Sequence, residues 1–155
     1  MVADAEVLRA FATILDKLDI NFIIKLNDRR LLDAAIILKA KCNPEQFNTV
    51  CSSVDKLDKE TIENVSTELA DKGLNPDQIA QIREFVELKS GSSLETLKNL
   101  EKYFEGIEAA QKALEDQYLL FKYLEAVGMD SKFTFDPSLA RGLDYYTGMI
   151  FEGVL

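Results

Sequence analysis

Residues 21–27 read Asn21-Phe22-Ile23-Ile24-Lys25-Leu26-Asn27, a short β-branched run bounded by asparagines. This pattern predicts a buried β-strand. After it, Asp28 can cap a helix that is apolar on almost every side. Before it, apolar side chains recur with the period of a helix, at Val7, Phe11, Ile14 and Leu18. A strand between two helices predicts an α+β fold class.

The next part of the chain, residues 43–128, is predicted to be helical throughout. Two matching helix starts, Asn43-Pro44-Glu45-Gln46 and Asn75-Pro76-Asp77-Gln78, each place Asn at the N-cap, Pro at the first helical position and Gln at the third. Ser92 with Glu95 forms a third capping pattern. The longest apolar stripe of this segment is expected to end at Gly128.

Beyond Gly128 the apolar period changes from that of a helix to that of a strand. Lys132–Asp136 and Tyr145–Leu155 alternate and are predicted to be strands, with Pro137 limiting the pairing of the first. In the second strand, alternation puts Tyr145 on one face. It puts the following residues on the other: Tyr146, Gly148, Ile150, Glu152 and Val154.

Composition and charge exclude several classes of protein. The 155 residues carry 27 acidic and 18 basic side chains, a net charge of −9, which argues against a free-standing nucleic-acid-binding domain. The chain contains no histidine, so it can build neither a His-based catalytic relay nor a His-ligated metal site. Two cysteines make no disulfide framework, and no apolar run is long enough to span a membrane. Together with an N-terminus unlike a signal peptide, these features predict a cytoplasmic protein.

The stretch with the most chemistry is Phe133–Gly148, which contains one arginine, Arg141, and two adjacent phenols, Tyr145 and Tyr146. An arginine fork binds carboxylate or phosphate in a bidentate manner, and a partly buried tyrosine can both donate and accept a hydrogen bond. Such groups suit a site for a small anionic substrate. From the residues alone a second interpretation stays open, in which the arginine is solvated and the tyrosines only pack.

The octapeptide Arg141-Gly142-Leu143-Asp144-Tyr145-Tyr146-Thr147-Gly148 resembles the first histidine-specific signature of histidyl-tRNA synthetases, a family of class II aminoacyl-tRNA synthetases. Lys25-Leu26-Asn27-Asp28-Arg29-Arg30 and Cys51–Lys59 resemble the eukaryotic-type members in the same order. The resemblance implies an α+β fold in which part of the class II antiparallel sheet carries a mainly helical insertion. It divides the chain into catalytic-domain residues 1–42, the helical insertion 43–128, and catalytic-domain strands 129–155 with the histidine signature.

The same resemblance implies roles for individual residues. Arg141 matches the arginine that bridges the histidine carboxylate and the α-phosphate of ATP, a task that a metal ion performs in sister enzymes. Tyr146 matches the residue that hydrogen-bonds the imidazole, with Tyr145 beside it. Gly142 and Gly148 are expected either to keep the pocket wall thin for the ligand or to mark a bulge. No metal ligand is expected among these residues.

For the parent enzyme, the resemblance implies ATP-dependent activation of L-histidine to histidyl-adenylate and transfer to histidine tRNA, with magnesium and as a homodimer. Motifs 1, 2 and 3 and the anticodon-binding domain have no counterpart in this sequence. We therefore expect an internal fragment that carries part of the histidine pocket, binds no cofactor tightly and is inactive alone. The alternative is a non-catalytic helical interaction module.

Three further features have competing interpretations. Asp28-Arg29-Arg30 can contact a nucleotide or tRNA, but a helix N-cap followed by two solvated arginines is favoured. Cys51 shares the stripe of its helix, which favours packing over reactivity. Three lysines of the helical segment can contact the tRNA acceptor stem: Lys56, Lys59 and Lys72. In so acidic a chain, the interpretation that they lie on solvated helix faces is favoured.

Overall fold

The computed structural model describes residues 2–141 and 147–155. Within these residues, three strands form one mixed sheet: β1 (Ile23–Asp28), β2 (Phe133–Phe135) and β3 (Met149–Val154), in the order β2-β1-β3. β1 runs antiparallel to β3 and parallel to β2. The α+β class and the antiparallel pairing are thus confirmed, and the parallel β1–β2 pair is an additional feature.

Helices make up most of the remaining described chain. Residues 29–39 begin as an α-helix and widen into a π-helical turn, and short 3₁₀ turns lie in the connections between other elements. The bounds are α1 (Val2–Lys17), α2 (Arg29–Asp33), the π turn Ala34–Lys39, the 3₁₀ turn Pro44–Gln46, α3 (Phe47–Val54), the 3₁₀ turn Asp55–Asp58, α4 (Ile62–Asp71), α5 (Pro76–Glu87), α6 (Ser93–Tyr103), α7 (Glu108–Ala126) and the 3₁₀ turn Asp130–Lys132. No helix in the described residues is long and apolar enough to cross a membrane.

The predicted helix starts of the helical segment are confirmed. Asn43 and Asn75 both form capping boxes, in which the third-position glutamine returns a hydrogen bond to the backbone of the asparagine. The first box opens a 3₁₀ turn that leads into α3, whereas the second opens α5 directly. Gly128 has a φ of 70°, a left-handed conformation that costs a glycine little and follows the end of α7.

The apolar face predicted for α1 is wrong. Val7, Ile14 and Leu18 are 54%, 55% and 62% exposed, and only Phe11 of that stripe is partly buried against the core. The helix instead buries a neighbouring face with two small residues, which let its backbone approach closely: Ala5, Leu8 and Ala12. Phe11 contacts β3, where its ring centroid lies 5.7 Å from that of Phe151. Apart from Phe11, the stripe of larger residues therefore lies outside the core.

A continuous apolar core joins the sheet to the helical segment. Its helical part contains an aromatic group in which the Phe104 ring lies 4.9 Å from Tyr103 and 5.9 Å from Phe85, centroid to centroid. Phe121 of α7 is also buried. These four aromatic residues of the helices therefore belong to the core. The α1 side of the sheet carries Ile24, Leu26 and Phe151, whereas the opposite side carries charged side chains beside apolar ones such as Ile150.

Candidate functional site

Several charged side chains lie on one face of the sheet. Because side chains alternate along a strand, Lys25 and Asn27 of β1 share this face, and Glu152 of β3 lies directly opposite Lys25 in the antiparallel register. Loops and the helical segment contribute the rest. We call this surface the polar face and define it by three cations and four carboxylates: Lys25, Lys89, Arg141, Asp55, Asp58, Asp136 and Glu152.

Asp136 is the buried anchor of the polar face. It directly follows β2 and is 1% exposed. One carboxylate oxygen accepts from the Lys89 ammonium at 2.6 Å, and the other accepts from the Ser138 backbone N–H at 3.0 Å and hydroxyl at 2.6 Å. Burial works to raise the pKa of Asp136, but the hydrogen bonds from Lys89 and Ser138 bring that pKa below its usual value. The carboxylate is therefore held ionised inside the protein.

Lys25 connects the buried end of the polar face to the helical segment. Its Nζ lies 2.5 Å from Asp58 Oδ1 and 3.7 Å from Asp136 Oδ2. Burial works to lower the pKa of Lys25, but the hydrogen bond to Asp58 and the surrounding carboxylates, including Glu152, raise it. The ammonium is therefore fixed in its charged form between two elements that are far apart in sequence.

Arg141 lies at the open end of the polar face, with 45% of its side chain exposed. Its Nη2 donates to Glu152 Oε1, and its Nε lies 3.7 Å from Asp55 Oδ1, an ion-pair distance that is too long for a hydrogen bond. The second carboxylate oxygen of Glu152 is buried and has no hydrogen-bond partner among the described residues. A half-exposed guanidinium held in this way can bind an external carboxylate or phosphate.

Asn27 fixes the backbone that leads to Arg141. This asparagine is fully buried, and its side-chain amide donates to the carbonyls of Pro137 at 3.1 Å and Leu139 at 3.0 Å. Its own side-chain oxygen accepts from the Asp28 backbone N–H at 2.8 Å. A buried side chain that makes three hydrogen bonds is held in one geometry. Asn27 of β1 therefore fixes the path of the backbone between Pro137 and Leu139, just before Arg141.

The residues after Asn27 build a second, structural network. Asp28 caps α2 through the Arg30 backbone N–H and also accepts two hydrogen bonds from the Arg30 guanidinium and one from the Gln117 amide. Arg29 stacks over the Phe47 ring, 3.8 Å from its centroid. The predicted N-cap is confirmed, but the prediction that both arginines are solvated is wrong, because each is engaged by neighbouring side chains.

The structure describes only part of the predicted histidine site. Arg141 and Gly148 are described, whereas Gly142, Tyr145 and Tyr146 lie outside the described residues, and their predicted roles stay predictions. The Gly148 carbonyl accepts from the Arg29 backbone N–H at 2.8 Å. A Cβ added at Gly148 would meet no atom within 4 Å, so the described chain leaves open space there.

Two of the three lysines considered for the acceptor stem, Lys56 and Lys72, pair within the helical segment. Lys56 and Lys72 both contact Glu68, at 2.7 Å for Lys56, and these hydrogen bonds lower the pKa of Glu68 to about 2. Lys59 is exposed. Cys51 is buried, and burial raises the pKa of its thiol to about 12, which agrees with a packing role.

Sequence reasoning missed the partners of Arg141. Asp55 belongs to the quoted segment Cys51–Lys59, and Glu152 was assigned to one face of its strand, but neither was recognised as a contact of the arginine. Asp136 offered the clearest signal, since an acid directly after an apolar strand is expected to need buried partners. Lys25 and Asp58 are 33 positions apart, so no local sequence pattern predicts that they form an ion pair.

The fold is that of class II-type aminoacyl-tRNA synthetases. The chain is similar to the crystal structure of histidyl-tRNA synthetase from Nostoc sp. PCC 7120, with a TM-score of 0.84 and 28% identity, over 99% of this chain and 36% of that one. It is 45% identical to the cytoplasmic histidine–tRNA ligase of Oryza sativa subsp. japonica over 99% of this chain and 20% of that protein. It is 44% identical to the mitochondrial histidine–tRNA ligase of Mus musculus over 100% of this chain and 31% of that protein.

The family model for histidyl-tRNA synthetase matches residues 1–155. The chain therefore belongs to the histidyl-tRNA synthetase family. It spans between a fifth and a third of the length of these two curated relatives.

Proposed function

We propose that this chain is the part of a histidine–tRNA ligase that supplies the carboxylate-binding arginine of the histidine site. The observation that carries the proposal is the placement of Arg141. It is half exposed at the open end of the polar face, and its octapeptide lies within the region that the family model matches. A guanidinium with this exposure can bind a ligand while carboxylates contact its Nη2 and Nε atoms.

In the proposed reaction, a carboxylate oxygen of L-histidine attacks the α-phosphorus of ATP, and pyrophosphate leaves with the electron pair of the broken P–O bond. Arg141 binds the histidine carboxylate and an α-phosphate oxygen, so that its charge orients the two and stabilises the negative charge that develops between them. The tRNA hydroxyl then attacks the acyl carbon of histidyl-adenylate and releases AMP. Tyr146 is assigned to the imidazole and Tyr145 to the pocket wall, with Gly142 and Gly148 leaving room for the ligand.

Magnesium is not assigned to the polar face. Its carboxylates already contact cations: Asp136 and Asp58 contact lysines, and Asp55 and Glu152 contact Arg141. An ion that prefers several oxygen ligands would have to displace these pairs. We propose that ATP with magnesium, histidine tRNA and the homodimer contact belong to the whole synthetase, and that the present chain neither binds them tightly nor aminoacylates alone.

A cytoplasmic location is proposed from the sequence and is supported by the cytoplasmic relative from Oryza sativa subsp. japonica. The mitochondrial relative from Mus musculus is of nearly equal identity. Organelle-resolved fractionation of a tagged chain distinguishes the two locations.

The proposal is tested by calorimetric titration of the chain with L-histidine, L-histidinol and L-phenylalanine. We expect weak binding that prefers L-histidine over both analogues. Arg141→Ala should remove the preference over histidinol, which lacks the carboxylate, and Tyr146→Phe should reduce the preference over phenylalanine. Arg83→Ala is the matched control, because Arg83 pairs with Glu63 and Glu87 within the helical segment.

A folded chain that binds the three compounds equally, or binds none of them, contradicts the proposal. Circular dichroism on the same samples establishes that each variant is folded. The result would then favour the non-catalytic interaction module over a partial histidine site.

A further inference from the structure

The 3₁₀ turn Asp55–Asp58 brings the helical segment into contact with the polar face. Residues three apart in a 3₁₀ helix lie above one another, so Asp55 and Asp58 share one side of the turn. Asp58 contacts Lys25 at 2.5 Å, and Asp55 lies 3.7 Å from Arg141. One turn of the helical segment thus holds a cation of β1 and the arginine that precedes β3.

Glu152 approaches Arg141 from the sheet. It lies opposite Lys25 in the β1–β3 register, and its Oε1 accepts from Arg141 Nη2. Its other carboxylate oxygen is buried, although 26% of the side chain is exposed, so this carboxylate lies partly within the polar face. The guanidinium therefore meets one carboxylate from the sheet and one from the helical segment, through two different nitrogens.

One hydrogen bond to Glu152 and one longer ion pair to Asp55 restrict the orientation of the guanidinium. Arginine loses substantial rotational freedom when it is held in one geometry, and a fork that is already oriented loses less on binding a ligand. Within the described residues no group accepts a hydrogen bond from Arg141 Nη1. Among the described residues, the two carboxylates thus contact Nη2 and Nε and leave Nη1 without an acceptor.

We propose that Asp55 and Glu152 are positioning residues for Arg141, and that the turn Asp55–Asp58 thereby couples the helical segment to the histidine site. This inference rests on the proposed function, since it assigns Arg141 to the histidine carboxylate. Exposed ion pairs add little to stability. Loss of either carboxylate should therefore alter the orientation of Arg141 far more than it alters folding.

The test compares Glu152→Gln and Asp55→Asn with Glu87→Gln, which removes a carboxylate from the Arg83 ion pair outside the sheet. The first readout needs no ligand: the rate at which phenylglyoxal modifies Arg141, followed by peptide mass spectrometry. We expect Glu152→Gln to raise the rate several-fold, Asp55→Asn to raise it less, and Glu87→Gln to leave it unchanged. This order follows from the direct hydrogen bond to Glu152 and the longer contact to Asp55.

The second readout is the ratio of the affinities for L-histidine and L-histidinol. Glu152→Gln should weaken L-histidine binding about tenfold through the lost orientation of a charge-assisted hydrogen bond and leave histidinol binding unchanged. Glu152→Asp, which keeps the charge on a shorter side chain, should restore part of the preference. A merely structural role would change both affinities in parallel.

An unchanged modification rate in both carboxylate variants overturns the inference. So does a faster rate accompanied by an unchanged preference of Glu152→Gln for L-histidine. If the unsubstituted chain shows no preference for L-histidine, the proposed function fails for the chain, and the positioning of Arg141 is then decided by the modification rate alone. The two failures are therefore distinguishable.

Discussion

Replacing Asp136 with asparagine tests whether the polar face stabilises the fold through a buried charge. The substitution keeps the size of the side chain and one carbonyl oxygen, which can still accept from the Ser138 backbone and hydroxyl. It removes the negative charge and the acceptor that faces Lys89 at 2.6 Å. Lys25, at 3.7 Å, loses a second carboxylate but keeps Asp58.

The expected loss follows from these contacts. A hydrogen bond between charged groups contributes roughly 1.5–3 kcal/mol, and the half-exposed Lys89 can recover part of this by binding water. We therefore expect Asp136→Asn to lower the free energy of unfolding by about 1–2 kcal/mol near neutral pH. For a chain of this size that corresponds to a melting temperature lower by roughly 2–8 °C.

The pH dependence provides a sharper criterion than the loss itself. The pKa of Asp136 is lower in the folded chain than in the unfolded chain, where it is about 3.9. Its stabilising contribution is therefore complete above the unfolded pKa and is lost as the pH falls through the folded pKa. The stability difference between the unsubstituted chain and Asp136→Asn should thus shrink as the pH falls from about 6.5 to about 3.

Urea unfolding followed by circular dichroism at both pH values measures this difference. Asp58→Asn is the matched control, because Asp58 also contacts Lys25 but is exposed, and its loss should cost about 0.5 kcal/mol or less. A difference for Asp136→Asn that stays constant across the pH range would refute the assignment of the effect to an ionised carboxylate. Equal losses for the two variants would refute the importance of burial.

Three further predictions concern packing. Cys51, whose pKa is raised to about 12 by burial, should not react with Ellman's reagent at about pH 8 until the chain is unfolded, and rapid reaction of the folded chain would contradict its burial. Gly153→Ala should be less stable than Gly148→Ala by about 1 kcal/mol in urea unfolding. The new Cβ at position 153 would lie 3.2 Å from the Phe11 ring, whereas the one at 148 meets no atom of the described residues within 4 Å. Equal stabilities would show that the ring moves freely. Phe104→Ala should cost roughly 3–5 kcal/mol, since the ring is fully buried between two other aromatic rings, and a loss below about 1 kcal/mol would contradict that packing.

Local capping signals made the helix boundaries predictable from the sequence. At Asn43 and Asn75 the side chain, the proline and the glutamine act within four consecutive residues, and both capping boxes form as expected. Gly128 likewise adopts the left-handed conformation expected after a helix. Capping depends mainly on residues that are close in sequence, so these helix ends can be predicted without knowing the tertiary contacts.

The buried face of α1 could not be predicted in this way. Its sequence offers a stripe of large apolar residues, with Val7 and Ile14, and an adjacent stripe that includes Ala5 and Leu8. Helical periodicity identifies both stripes but does not decide between them. The smaller side chains fit the close contact with the rest of the fold, and the larger ones stay exposed.

In the candidate site too, features set by local sequence could be predicted, whereas contacts between distant elements could not. Arg141 was recognised through a contiguous octapeptide, and alternation placed Glu152 on a single face of its strand. The contacts of Arg141 with Glu152 and Asp55 depend instead on how a strand and a turn of the helical segment meet in space. Neither the amino-acid composition nor the apolar periodicity of the sequence predicts such a contact.

The polar face also bears on the predicted division of the chain at residues 43 and 128, which stays a prediction. Asp58 and Lys89 come from the helical segment, yet they contact Lys25 and Asp136 at the sheet. Without Lys89, the buried carboxylate of Asp136 would lose its closest cation, and burying an unpaired charge is costly. The buried carboxylate beside the sheet therefore depends on the helical segment for its closest cation, and the helical segment is a structural part of the polar face.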